Sequence, residues 1–176
     1  MIHIVLFQPE KPMNTGNIMR TCVAVGAKLH IIGPISFSLE EKDIKRSGLD
    51  YIERLKLENH KDYQAFKKKY GTENIYYVTR YSKRTYSSFD FSDPCHDIFL
   101  MFGRESTGIP HEILRDNSDK LLRIPMVSDA RSLNLSNSVA IVTYEVLRQQ
   151  RFEGLATQEE IKGSDWLIKE IEDASK

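Results

Sequence analysis

Apolar and polar residues alternate in blocks along this chain. Short unbroken apolar runs of strand length are followed by stretches in which apolar residues recur at spacings of three and four. IHIVLF at 2–7 predicts a buried strand, and NTGNIMRTCVAVGA at 14–27 a helix closed by Gly26. KLHII at 28–32 is a second strand, ended by Gly33-Pro34; LEEKDIKR at 39–46 is a short charged helix and RLKLEN at 54–59 a weak, exposed strand. HKDYQAFKKKYG at 60–71 is helical, with Tyr63, Phe66 and Tyr70 on one face and Gly71 as its stop. NIYYVT at 74–79 and DIFLMFG at 97–103 read as central strands, and KLLRIPM at 120–126 as the last. A final core helix runs from about Asn134 to Arg151, with Val139, Val142, Val146 and Leu147 on one face. The alternation predicts an α/β domain: a largely parallel sheet flanked by helices.

At 176 residues the chain buries one ordinary core. We expect one domain over residues 1–153, followed at 154–176 by an acidic extension in which Ser164 caps a short helix that lays Leu167, Ile168 and Ile171 on the body, with Trp166 packed beside them. The formal net charge is zero, but residues 157–176 carry six acids against three lysines, which leaves the body at +3. Any basic surface must therefore be local. RYSKR at 80–84 is the sharpest candidate, reading either as a solvated loop or as a nucleic-acid contact. Cys22 and Cys95 stand far apart without metal or disulfide spacing, which fits a reducing, cytoplasmic setting. The first apolar run is too short for a signal segment or a membrane span, so no membrane partner is expected.

Three strand ends carry the candidate chemistry. PMNTGNIMR at 12–20 places Asn14, Thr15 and Gly16 at a helix start, where free N–H groups and the positive helix end suit a polar ligand. An Asn N-cap with a tight Gly turn explains the same residues about as well, and Arg20 tips the reading toward a site. LMFGRESTGIP at 100–110 sets a polar turn between Gly103 and Gly108 at a strand's carboxyl end, where open α/β sheets bind ligands. A tight connection explains Gly108 but not Glu105, an acid placed to hold Arg20 or Arg131. RIPMVSDARSLNLSN at 123–137 leads into a helix start with more neutral hydrogen-bonding groups than one cap needs. Such groups suit hydroxyls, amides or a purine edge better than phosphate. Phosphate fingerprints of the GxGxxG and GK[ST] kinds are absent. His3, His30, His60, His96 and His111 are scattered without HxxxH spacing or a paired carboxylate, so no metal site or catalytic His is expected.

Taken in order, these three motifs resemble the signatures of the SPOUT family of S-adenosylmethionine-dependent RNA ribose methyltransferases, over about residues 1–152. They are closest to the small single-domain subgroup that methylates the ribose 2'-hydroxyl of the tRNA wobble nucleotide, cytidine or uridine. The resemblance implies a C-terminal trefoil knot, which general topology rules would reject, and a homodimer with its active site at the subunit interface. It implies that S-adenosylmethionine meets Val78, Thr79, Gly103, Ile124, Met126, Ser132 and Leu133. Asn14, Arg20, Glu105, Ser132 and Asn134 fall at the catalytic centre of the family pattern, with the base role at the position of Arg20. A guanidinium resists deprotonation, so Arg20 is read equally as steadying the developing alkoxide or gripping a phosphate. Arg80, Lys83 and Arg84 become the expected contacts to the tRNA anticodon region, with Lys42, Lys45 and Arg46 a weaker patch, and Tyr144 orients substrate or dimer. A ribosomal RNA or another tRNA position as target, a non-catalytic cofactor-binding RNA protein, and a generic nucleotide-binding protein are the competing readings.

Overall fold

In the computed structural model, which describes residues 1–39 and 52–166, the strands form one sheet with every pairing parallel. Among the described residues the strands are β1 (Ile2–Phe7), β2 (Lys28–Ile32), β3 (Lys56–His60), β4 (Ile75–Val78), β5 (Ile98–Phe102) and β6 (Leu121–Leu122), in spatial order β3-β2-β1-β5-β4-β6. The helices are α1 (Pro12–Val25), α2 (Tyr63–Tyr70), α3 (His111–Asp116) and α4 (Leu135–Gln149).

Strands β1 and β5 are buried at every position, which is why their sequences are unbroken apolar runs rather than alternating ones. Alternate residues serve opposite faces. Ile4, Leu6, Leu100 and Phe102 join α1 and α4 in one core cluster, whereas Val5, Phe7, Phe99 and Met101 join Phe66 of α2 and Ile113 of α3 in the other. The helix face expected on α4 is the buried one: Val139, Val142 and Val146 are fully covered and Leu147 nearly so. Each such side chain contributes about 1.5–3 kcal/mol of burial free energy. Thr143, buried among them, has a hydroxyl without a hydrogen-bond partner among the described residues.

Two expectations shift, and a third falls outside the described residues. Asn14 is not a helix cap: α1 begins at Pro12, a residue whose fixed φ suits a first helical position, and Lys11 stands at the N-cap without a side-chain bond. The last strand is only Leu121–Leu122, extended by the single bridge of Arg123 with Thr85, because Pro125 cannot donate to a ladder. The charged helix expected at 39–46, with Lys42, Lys45 and Arg46, lies almost wholly outside the described residues, as do Leu167, Ile168 and Ile171. Residues 156–165 are exposed throughout, and Lys162 stacks its ammonium 3.8 Å from the Trp166 ring centroid.

The histidines, scattered in sequence, are not scattered in space. Three adjacent strands bring three buried imidazoles into a ladder: His3 Nδ1 lies 2.8 Å from His30 Nε2, and His30 Nδ1 lies 3.0 Å from His60 Nε2. Asp97 lies 3.6 Å from the outer nitrogen of His3, Nε2, and Glu58 lies 3.6 Å from His60 Nε2, the nitrogen that also faces His30. Burial lowers all three histidines, His30 to about 3. Ligand atoms of His30, Glu58 and His60 lie within 4.8 Å of one another, but Glu58 already accepts from Lys28, Lys69 and Tyr70.

Candidate active site

A cavity of about 780 Å³ opens at the carboxyl ends of β4 and β5, where the three sequence motifs converge. Its walls are Val78–Tyr81 after β4, residues 102–109 after β5, Arg123, Ile124 and Met126 after β6, residues 131–135 with Ser138 at the start of α4, and Lys11 and Asn14 from α1. This is the switch-point edge at which parallel sheets bind ligands.

The β5 loop is shaped by its glycines. Gly108 has φ +74°, a left-handed conformation that disfavours other residues, and its backbone exchanges two hydrogen bonds with Arg104 (3.2 and 2.9 Å). A Cβ on Gly103 would collide with the backbone of Gly108 and Ile109. The loop therefore folds flat on the strand end and leaves the wall lined by main chain.

Glu105 does not hold Arg20 or Arg131 in the way its charge suggested. It accepts from the backbone N–H groups of Glu10 (2.8 Å) and Lys11 (3.2 Å), and from Asn14 Nδ2 at 2.9 Å. A carboxylate from a distant loop thus supplies the N-terminal anchor that Lys11 cannot, at the positive end of α1. Asn14 Oδ1 in turn accepts from Asn134 Nδ2 (3.0 Å), and Asn134 Oδ1 caps α4 by accepting from the N–H of Ser136 at 2.9 Å, its hydroxyl at 2.7 Å and the N–H of Asn137 at 3.4 Å. One chain of bonds, Glu105 to Asn14 to Asn134, ties the β5 loop to the starts of both helices. Ser138, with its hydroxyl 3.1 Å from the Asn134 carbonyl, belongs to the same cap.

A second clasp was not legible as a site. Ser106 donates to Glu10 from its hydroxyl (2.7 Å) and its N–H (2.9 Å), and these bonds hold the Glu10 carboxyl below the usual carboxylate range. Its only trace in the sequence is an acid two residues ahead of a proline-started helix. Further cavity residues not predicted as site residues include Lys11, Tyr81, Arg104, Arg123, Arg131 and Ser138.

Of the residues expected to act chemically, Asn14, Glu105, Ser132 and Asn134 meet at the cavity; Arg20 is exposed on α1 and lies outside its lining. All seven expected cofactor residues, Val78, Thr79, Gly103, Ile124, Met126, Ser132 and Leu133, line the cavity. Arg80 lines it too, while Lys83 is exposed nearby. Arg84 packs its guanidinium 3.8 Å from the Phe89 ring centroid and donates to the Asp119 carbonyl at 3.2 Å, a structural engagement the RNA reading did not anticipate. Tyr144 is half exposed on α4.

A parallel α/β sheet whose carboxyl edge holds a cavity walled largely by main chain and hydroxyl groups, in a chain without a phosphate fingerprint, is the architecture of a protein that binds a nucleoside-type cofactor. Residues 1–144 match the SpoU rRNA Methylase family, and the chain belongs to that family. Among its relatives, the tRNA (cytidine(34)-2'-O)-methyltransferase of Escherichia coli K12 is 41% identical over 155 residues, covering 88% of this chain and 97% of that protein. A Geobacillus stearothermophilus protein provisionally named for the same activity is 50% identical, covering 88% of this chain and 99% of its own length. A structure described as giving insights into 2-OH methylation of C/U34 on tRNA superposes with a TM-score of 0.78 at 36% identity, covering 87% of this chain and 98% of that one. The family uses S-adenosylmethionine, with which the SpoU methyltransferase AviRb of Streptomyces viridochromogenes has been solved; that structure has a TM-score of 0.68 at 26% identity, covering 86% of this chain and 61% of its own. The cavity fits this cofactor: the volume suits a ligand of its size, and the wall offers main-chain and hydroxyl groups for an uncharged adenosine.

Proposed function

We propose that this chain methylates the ribose 2'-hydroxyl of the wobble nucleotide, cytidine or uridine, of tRNA in the cytoplasm, acting on the anticodon region as a homodimer with a knotted C-terminal segment. The observation that carries the reading is the convergence of three motif loops on one cavity, in a chain 88% of which aligns with relatives named for that activity. Among the described residues no helix is long and apolar enough to cross a membrane.

S-adenosylmethionine supplies an electrophilic methyl group when bound. The protein's own residues must position the ribose and deal with the hydroxyl proton. Glu105, Asn14 and Asn134 spend most of their bonding capacity on one another and on helix starts, so in this reading they fix the geometry of the cavity. Ser132 is exposed in the wall without a hydrogen bond to the described residues, and its hydroxyl is available to the ribose. Arg20, outside its own chain's cavity, serves the site of the second subunit, where a guanidinium steadies the developing alkoxide or the adjacent phosphate. The proton then leaves to phosphate or water. No metal takes part in this scheme.

The test is incubation of the purified protein with labelled S-adenosylmethionine and unmodified total tRNA, followed by mapping of the modified nucleotide. Ribose methylation at the wobble position, lost in Arg20→Ala, is the expected result. Label in no RNA, or only in ribosomal RNA, overturns the proposal.

A further inference from the structure

The cavity's charge does not match its cofactor. Lys11, Arg80, Arg104, Arg123 and Arg131 all line it, and none has a carboxylate within ion-pair distance among the described residues. Glu105 is the only acid in the lining, and its oxygens are taken by the start of α1. S-adenosylmethionine carries a sulfonium and an ammonium against one carboxylate, so it adds positive charge rather than balancing it.

Three of the arginines hold one another in place without neutralising one another. Arg123 donates to the Arg80 carbonyl at 2.6 Å, and Arg80 donates to the Arg131 carbonyl at 3.3 Å. A polyanion is the natural occupant of such a rim, in a chain whose total charge is zero.

Beside them stands Tyr81, 61% exposed although it is a large aromatic side chain on the cavity wall. Its backbone is pinned by the N–H bond to Thr79 Oγ1 (3.3 Å). Its ring takes the edge of His111, with centroids 5.3 Å apart and planes at 86°. Core packing accounts for none of this exposure. An aromatic ring held from one side, next to unneutralised arginines, matches the way proteins seize unpaired nucleotides: a base stacks on the ring while cations take the flanking phosphates.

We propose that Tyr81, buttressed by His111, is a stacking shelf for an unpaired RNA base at or next to the methylated nucleotide, with Arg80, Arg123 and Arg131 on the flanking backbone. This rests on the RNA-methyltransferase reading and adds to it the residue that grips the base.

The experiment measures the tRNA dissociation constant, the KM for tRNA and the S-adenosylmethionine dissociation constant at fixed ionic strength for the full-length wild type, Tyr81→Ala, Tyr81→Phe and Tyr81→Leu. Removing a stacked aromatic weakens binding by roughly 5- to 150-fold, so Tyr81→Ala and Tyr81→Leu are expected to raise the tRNA constants by that factor. Tyr81→Phe should stay within about twofold of wild type, because a phenyl ring stacks as a phenol does. Cofactor affinity should be unchanged in all three. Wild-type tRNA constants in Tyr81→Ala overturn the shelf, and so does rescue by Leu, which restores bulk without a ring. A loss confined to cofactor affinity also overturns it by making Tyr81 a cofactor wall. A wild-type protein that methylates no RNA refutes the underlying function instead, so the two failures are distinguishable.

Discussion

Acidification is the perturbation this structure opposes most directly, because burial disfavours a proton on each member of the histidine ladder. The inner nitrogens of His3, His30 and His60 face one another, and His30, with an imidazole on each ring nitrogen, is fully buried, so a proton added to it places a charge out of reach of water. The groups around it offer little compensation: His3 on β1, His60 on β3 and Lys28 on its own strand disfavour a charge, and Glu58 alone favours it. Burial is the larger cause and drives His30 to about 3. The folded pKa lies below the unfolded value of 6.5, so the unfolded chain binds a proton that the native state refuses. Stability is then full above about pH 6.5 and falls as pH drops through the window between 6.5 and about 3, by roughly 1.4 kcal/mol per unit once well inside it. Between pH 7 and 5 the loss from His30 alone is about 2 kcal/mol. His3 and His60, also lowered, add to it in the same direction. Urea unfolding at pH 7, 6 and 5, at one protein concentration and ionic strength, reads this loss as a falling midpoint at constant slope. His30→Leu should be less stable at pH 7, since it removes the imidazole that His3 Nδ1 and His60 Nε2 both meet, but its dependence on pH should be shallower by the same 2 kcal/mol or so. Parallel pH profiles for the two proteins would refute the reasoning.

Other consequences follow from single contacts. Asn134→Ala removes the α4 cap and the tie to Asn14 together, and should cost about 1–2 kcal/mol, lowering the melting temperature by several degrees. Gly103→Ala pushes a methyl group into the backbone of the β5 loop; calorimetry should show cofactor affinity down by more than about tenfold, in a loop that moves without the sheet melting. Thr143→Val replaces a buried hydroxyl that has no partner among the described residues with a methyl of the same shape, and thermal melting should show a gain of about 1 kcal/mol; a loss would mean that the hydroxyl has a bonding role.

Strand identities were legible because β1 and β5 are buried on both faces, and a strand buried on both faces must be apolar at every position. Strand β6 was overestimated for the same reason turned around: LLRIPM is apolar because it lines the cavity and core, and only two of its residues pair in the sheet. Asn134 and the α4 face could be read from local spacing alone, since a cap and a helical stripe are short-range features. Asn14 could not. An asparagine near a helix start looks like a cap, and what displaced it is a carboxylate more than ninety residues away.

The same long range explains the three surprises that bear on function. Glu105, Glu10 and the histidine ladder each acquire their roles from strands adjacent in the sheet but distant in the chain, and parallel topology makes such neighbours unavoidable. The motif residues recognised from sequence are therefore of two physical kinds. Asn14, Glu105 and Asn134 are spent on one another and hold three loops at fixed distances. Ser132, Arg80 and Arg131 keep bonding capacity toward the cavity. A substitution in the first group should act through the shape of the site and be felt by cofactor and RNA together, whereas one in the second should be felt by the ligand that its free groups meet.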